Sequence, residues 1–135
     1  MIVLDCSAVV NIVRNTSEGE SLRMLIRQDD DKISSELLFI ETASVIRKYV
    51  LAGIYDAMEA PIYLKNAVNL VSQFVPIEEN YLDAYYESLR LNHSVYDMLY
   101  YTLAQRYRAT LVTLDKKLIQ LCEQEAVDCI HIIDE

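Results

Sequence analysis

Two hydrophobic patterns take turns along this chain: compact apolar runs of three or four residues, and longer stretches whose apolar positions recur every three to four. Ile2 to Leu4 is a run of the first kind, ends abruptly at Asp5, and predicts a buried strand. Ser7 is placed to cap a helix through about Arg14, with Ala8, Val9, Ile12 and Val13 as its apolar positions. A second short helix is predicted over Gly19 to Arg27 with Leu22, Leu25 and Ile26 inward, then an Asp29-Asp30-Asp31 loop and a brief strand near Lys32 to Ser34. From about Glu36 to Ala52 the chain is apolar almost all round, which predicts a helix buried on most sides. A stripe of Glu41, Ser44 and Lys48 is its main polar interruption. Further helices are expected near Asp56 to Ser72, with Pro61 tolerated near the first turns, over Glu78 to Leu91, from Ser94 through Tyr107, and from Asp115. Strands are expected at Phe74 to Ile77, Thr110 to Thr113 and Ile130 to Ile133.

Strands alternating with helices, and no hairpin turn, predict an α/β fold with a short, mostly parallel central sheet flanked by helices. The 135 residues fit one domain, 1–135, and 53% apolar residues suffice for a core. With two Gly and two Pro, the chain lacks the turn residues of a many-stranded sandwich or barrel. Three cysteines without CxxC spacing argue against a disulfide framework and suit a reducing compartment. No run resembles a signal peptide or a bilayer span, so the expectation is a cytoplasmic protein with no membrane association.

The net charge of −9 counts against non-specific nucleic-acid binding and fits a cation-binding carboxylate site or a basic partner. In a parallel sheet, ligands sit beyond the carboxyl ends of the strands. Asp5 and Asp115 fall there, Asp97 lies in the first turn of its helix, and Glu41 interrupts the most apolar helix. Crowded carboxylates repel unless a divalent cation neutralises them, and an all-oxygen set selects Mg²⁺ or Mn²⁺ over zinc. Plainer readings stand beside this one. Asp5 and Asp115 can be helix caps, Asp97 fits a capping box with Ser94, and Glu41 can pair with Arg47 or Lys48. Basic residues flanking the predicted rim are Arg14, Arg47, Lys48, Lys116 and Lys117, candidates for phosphate contacts or ordinary surface charges. Six of the ten tyrosines fall between Tyr81 and Tyr101, where base stacking, core packing and an interface are all open.

The ordered segments MIVLDCS, ELLFIETASVIRK, SVYDMLYYTLA and LVTLDKKL resemble the PIN-domain family across nearly the whole chain, and most of all the toxin ribonucleases of VapBC-type toxin–antitoxin pairs. That resemblance implies a Mg²⁺- or Mn²⁺-dependent endoribonuclease. It assigns catalytic and metal-binding roles to Asp5, Glu41, Asp97 and Asp115, and makes Ser7 and Thr113 hydroxyls that orient water or a carboxylate. RNA is then the substrate, a small basic antitoxin protein the partner, and a homodimer the assembly. The alternatives are a housekeeping PIN nuclease and a non-catalytic acidic α/β interaction domain. A phosphatase-type site needs a second Asp two residues after the first, where this chain has Ser7, and a receiver needs an acidic pair after strand one, where it has Cys6-Ser7.

Overall fold

The computed structural model describes residues 1–131. In chain order the elements are β1 (Ile2–Leu4), α1 (Cys6–Arg14), α2 (Ser17–Leu25), β2 (Lys32–Ser35), α3 (Leu37–Leu51), α4 (Ala60–Val68), β3 (Gln73–Val75), α5 (Ile77–Leu91), α6 (Val95–Tyr107), β4 (Thr110–Val112), α7 (Lys116–Gln124) and β5 (Cys129–Ile130). Ile132 and Ile133, expected in the last strand, lie outside the described residues.

The five strands form one sheet in the order β3-β2-β1-β4-β5, and every neighbouring pair is parallel. The expected parallel α/β architecture is therefore present, with β1 at the centre and all three of its residues buried. The chain builds outward from β1 through β2 to β3, then crosses to add β4 and β5 on the other side of β1. Connections diverge between β1 and β4, which opens a crevice at their carboxyl ends.

One expectation is reversed. The helix buried all round is α6, whose residues from Met98 to Ala104 are all buried because it lies against β1, β2 and β4 and carries α5. By contrast α3 buries only Leu37, Leu38, Thr42 and Ile46, and its Phe39, Ile40 and Leu51 are exposed, Ile40 to 71%. Apolar composition alone does not reveal which helix has neighbours on every side. The polar atoms that α6 carries inward are matched: Thr102 donates to Met98 O at 2.7 Å and accepts from Asn80 Nδ2 of α5 at 2.9 Å.

Helix ends account for other differences. Asp5, not Ser7, is the N-cap of α1, accepting from Ala8 N. Pro61 sits in the first turn of α4, where its missing N–H costs nothing, so that helix is shorter than expected. Pro76 ends the third strand at Val75 and caps α5. Leu25 of α2 is exposed rather than inward. Gly19 stands where α2 meets α1, and a Cβ there would lie 1.9 Å from Asn11 O, so only glycine permits this approach. With few glycines, Asn15, Asn92 and Arg108 adopt the left-handed conformation that ends α1, α5 and α6, at φ of 55°, 51° and 50°.

Candidate active site

Because β1 and β4 are adjacent and parallel, with Leu4 opposite Val112, the segments following them leave the sheet side by side. Each delivers a carboxylate that caps the next helix. Asp5 Oδ1 accepts from Ala8 N at 2.9 Å and from Ser7 Oγ at 2.7 Å, while Thr113 Oγ1 donates to Asp5 Oδ2. Asp115 Oδ1 accepts from Lys117 N at 2.9 Å and Leu118 N at 3.2 Å. The two hydroxyls also knit the loops together: Ser7 Oγ accepts from Leu114 N at 2.9 Å, and Thr113 Oγ1 from Asp115 N at 3.0 Å. Ser7 and Thr113 thus both donate to the Asp5 carboxylate.

The other two acids arrive on helices. Glu41, in the second turn of α3, accepts through Oε1 from the Tyr100 hydroxyl of α6 at 2.7 Å, and neither Arg47 nor Lys48 pairs with it. Asp97, in the first turn of α6, is bonded through Oδ2 to His93 Nε2 at 2.9 Å. The capping box is therefore incomplete: Ser94 caps α6 by accepting from Tyr96 N, but Asp97 turns to His93. Glu41 Oε2, Asp97 Oδ1 and Asp115 Oδ2 keep no hydrogen-bond partner among the described residues.

All four acids line one cavity of about 320 Å³, with Cys6, Ser7, Val10, Asn11, Val45, Tyr49 and Tyr100 completing its wall. No described lining residue is a cation. The acids feel this. Asp5 is raised to about 6, chiefly by burial, with a further push from Asp97, although Thr113, Ser7 and Ala8 pull the other way. Burial and the Asp97 charge raise Glu41, and burial and the Asp115 charge raise Asp97. The Cys6 thiol, pushed up to about 12 by burial and by Glu41 and Asp5, stays protonated and uncharged. The cavity is a concentrated negative site awaiting positive charge.

Residues 2–124 match the family model of the PIN domain. This chain belongs to the PIN-domain family. Over 121 residues, 89% of the chain and 91% of the relative, it is 29% identical to a protein named Ribonuclease VapC12 from Mycobacterium tuberculosis, in two strains. The crystal structure of PAE2754 from Pyrobaculum aerophilum shares the fold with a TM-score of 0.69 at 19% identity, covering 88% of this chain and 82% of that one.

Within this PIN domain no three His, Cys, Asp or Glu side chains among the described residues are drawn tightly enough together to hold an ion unaided. The four carboxylates share the cavity wall. Carboxylates alone, with no His or thiolate among the four acids, are the donor type that hard, oxygen-preferring divalent cations take. The basic residues expected at the rim do not line the cavity. Arg47 lines a separate groove with Val50, Ala60 and Leu64 between α3 and α4, while Lys48 and Lys117 are exposed. Lys116 follows the Asp115 cap, and Arg14 stacks on Tyr49 of the cavity wall, with its guanidinium 4.2 Å from the ring centroid. Sequence reasoning missed His93, Tyr100, Cys6, Asn11 and Tyr49 as site residues. Spacing held a signal for some: Tyr100 is one turn beyond Asp97, Asn11 one turn beyond Ser7, and Tyr49 two turns beyond Glu41. The tyrosines near position 90 divide cleanly, with Tyr100 and Tyr101 buried and Tyr81, Tyr85, Tyr86 and Tyr96 exposed.

Proposed function

We propose that this PIN domain is a Mg²⁺- or Mn²⁺-dependent endoribonuclease, the toxin half of a type II toxin–antitoxin pair. The observation that carries the reading is the one cavity that Asp5, Glu41, Asp97 and Asp115 share, with no cation among its described lining residues. Its relatedness to a protein named a ribonuclease supports the substrate. Asp5 and Asp97 would bind the ion directly, and Glu41 and Asp115 in part through water. Asp97, Glu41 and Asp115 each keep one oxygen without a protein donor among the described residues, while Asp5 would have to offer a remaining lone pair of an oxygen that already accepts a hydrogen bond. A divalent ion held there would lower the pKa of a water so that hydroxide is available as nucleophile near neutral pH, and would stabilise negative charge on the departing oxygen of the phosphodiester.

The chain's own residues do the rest. Ser7, Thr113 and the N-terminus of α1 fix Asp5; Tyr100 aims Glu41, and His93 aims Asp97. The uncharged Cys6 thiol contributes a wall without further repulsion. A basic antitoxin segment would be drawn to the same negative cavity, an Arg or Lys supplying the missing charge. We place the homodimer on α5, whose exposed outer face carries Tyr81, Leu82, Tyr85, Tyr86 and Leu89.

The deciding experiment is cleavage of single-stranded RNA with Mn²⁺ by wild type, Asp5→Asn and Asp97→Asn, each checked for folding by circular dichroism. Cleavage by wild type and its loss in both variants is expected; unchanged activity in either counts against the mechanism. The open spacing of the acids favours one rival, a non-catalytic acidic domain. That rival predicts no rise in thermal midpoint with Mg²⁺ or Mn²⁺, and the nuclease predicts a clear one.

A further inference from the structure

An acidic nuclease must grip a polyanion, and a cavity lined by four carboxylates works against it. Positive charge has to stand close by without being cancelled. Arg14 meets both conditions. It ends α1, whose Val10 and Asn11 line the cavity, and no carboxylate pairs with it among the described residues. Two aromatic rings hold it instead: Tyr49 at 4.2 Å and Tyr55 at 6.0 Å from ring centroid to guanidinium carbon. The array continues. Tyr55 meets Tyr49 edge-on at 5.8 Å and stacks on Tyr63 of α4 at 4.4 Å with 10° between the planes. Arg14, Tyr49, Tyr55 and Tyr63 are each only partly buried, and Tyr49 belongs both to this array and to the cavity wall.

We propose that Arg14, Tyr49, Tyr55 and Tyr63 form a subsite for a single-stranded stretch of RNA extending from the cleavage cavity toward α4. The inference rests on the nuclease reading above and deepens it by naming the residues and the path along which the substrate would run. A guanidinium lying over a ring keeps its N–H edge free to donate to a phosphate, while the ring fixes its position. Tyr55 and Tyr63 cover one face of each other, and the outer face of that partly exposed stack would take an unpaired base, an interaction indifferent to sequence and closed to bases inside a duplex. The phosphate contact and the stacking platform therefore sit next to the acids that would otherwise repel the strand.

The test is fluorescence anisotropy with a short fluorescein-labelled single-stranded RNA. Ca²⁺ is present to neutralise the cavity, and RNA integrity is checked on a gel. Tyr63→Leu and Tyr55→Leu are each expected to weaken binding by about 5- to 100-fold. Arg14→Gln should flatten the dependence of log K on log salt by about 0.7, the share of one phosphate on a single strand, whereas Arg14→Lys should keep that slope and lose affinity. A purely structural array would leave the salt slope unmoved, and thermal melting identifies any variant that fails to fold. Wild-type affinity and slope in Tyr63→Leu and Arg14→Gln, or equal affinity for duplex RNA, would overturn the proposal; unchanged RNA affinity is also what an array serving a protein partner would show. The two readings fail separately. Cleavage by wild type with unaltered binding in the variants sinks the subsite alone, and RNA binding that depends on the array without Mn²⁺-dependent cleavage sinks the nuclease alone.

Discussion

The two halves of the acidic cavity are held in different ways. On the sheet side, Asp5 is buried, accepts three hydrogen bonds and is locked to β4 by Thr113 and Ser7. On the helix side, Glu41 and Asp97 are partly exposed, and each is held by one side chain, Tyr100 or His93. The sheet side is a fixed anchor whose charge is costly. The helix side is a pair of arms with one oxygen restrained and one to spare. A cavity with one fixed carboxylate and two lightly steered ones can reshape around a cation without disturbing the fold.

The largest effect should come from removing charge on either half. Asp5→Asn and Asp97→Asn should each lower Mn²⁺-dependent kcat by about a hundredfold or more, since the ion's charge stabilisation is worth several kcal/mol. If Asp97→Asn alone proved mild, the helix side would be dispensable and the comparison would break.

Next comes the cost of the anchor. Its carboxyl group titrates at about 6 in the folded chain against 3.8 for an unperturbed aspartate. Between those values the folded state holds a proton that the unfolded state has lost, so stability falls as pH rises from below 4 to above 6. Two units correspond to about 3 kcal/mol. Urea unfolding in EDTA should show this decline in wild type and a flatter profile in Asp5→Asn, whose remaining slope comes from Glu41 and Asp97, both raised in the same direction. Saturating Mg²⁺ should restore stability above pH 6 in wild type only.

Thr113→Val should come third, destabilising by about 1–3 kcal/mol because it strands the Asp5 Oδ2 oxygen and the Asp115 N–H in a buried place. Smallest are the arms. Tyr100→Phe and His93→Gln should weaken Mn²⁺ binding by about 10-fold, as losing an orienting partner does, while shifting the urea midpoint little. Calorimetric titration and denaturation measured together separate the last two cases. Equal stability losses for Thr113→Val and His93→Gln would erase the distinction between anchor and arms.

The sequence was most informative where local rules act alone. Asp5 and Asp115 follow apolar strands and open helices, so their place at the sheet's carboxyl edge could be read from adjacency. Glu41 stood out for a partly mistaken reason. Its helix looked buried all round, yet α3 has an exposed flank, and the helix enclosed on every side is α6. Enclosure depends on which elements pack together, and periodicity within one helix does not encode that. The partner of Glu41 shows the same limit: Tyr100 lies 59 positions away, beyond the reach of any i, i+4 rule. Arg14 was legible as a cation near the rim, but its aromatic seat needed the turn after α3 to fold back on α1.

Asp5 and Asp115 each do two jobs, since the oxygen that caps a helix belongs to the carboxylate that faces the cavity. A descendant that gave up the chemistry would still need a cap at both places. Decay of function should therefore leave Asn, Ser or Thr at these positions more readily than Ala or Leu, and such a lineage would look almost intact by sequence while being inert.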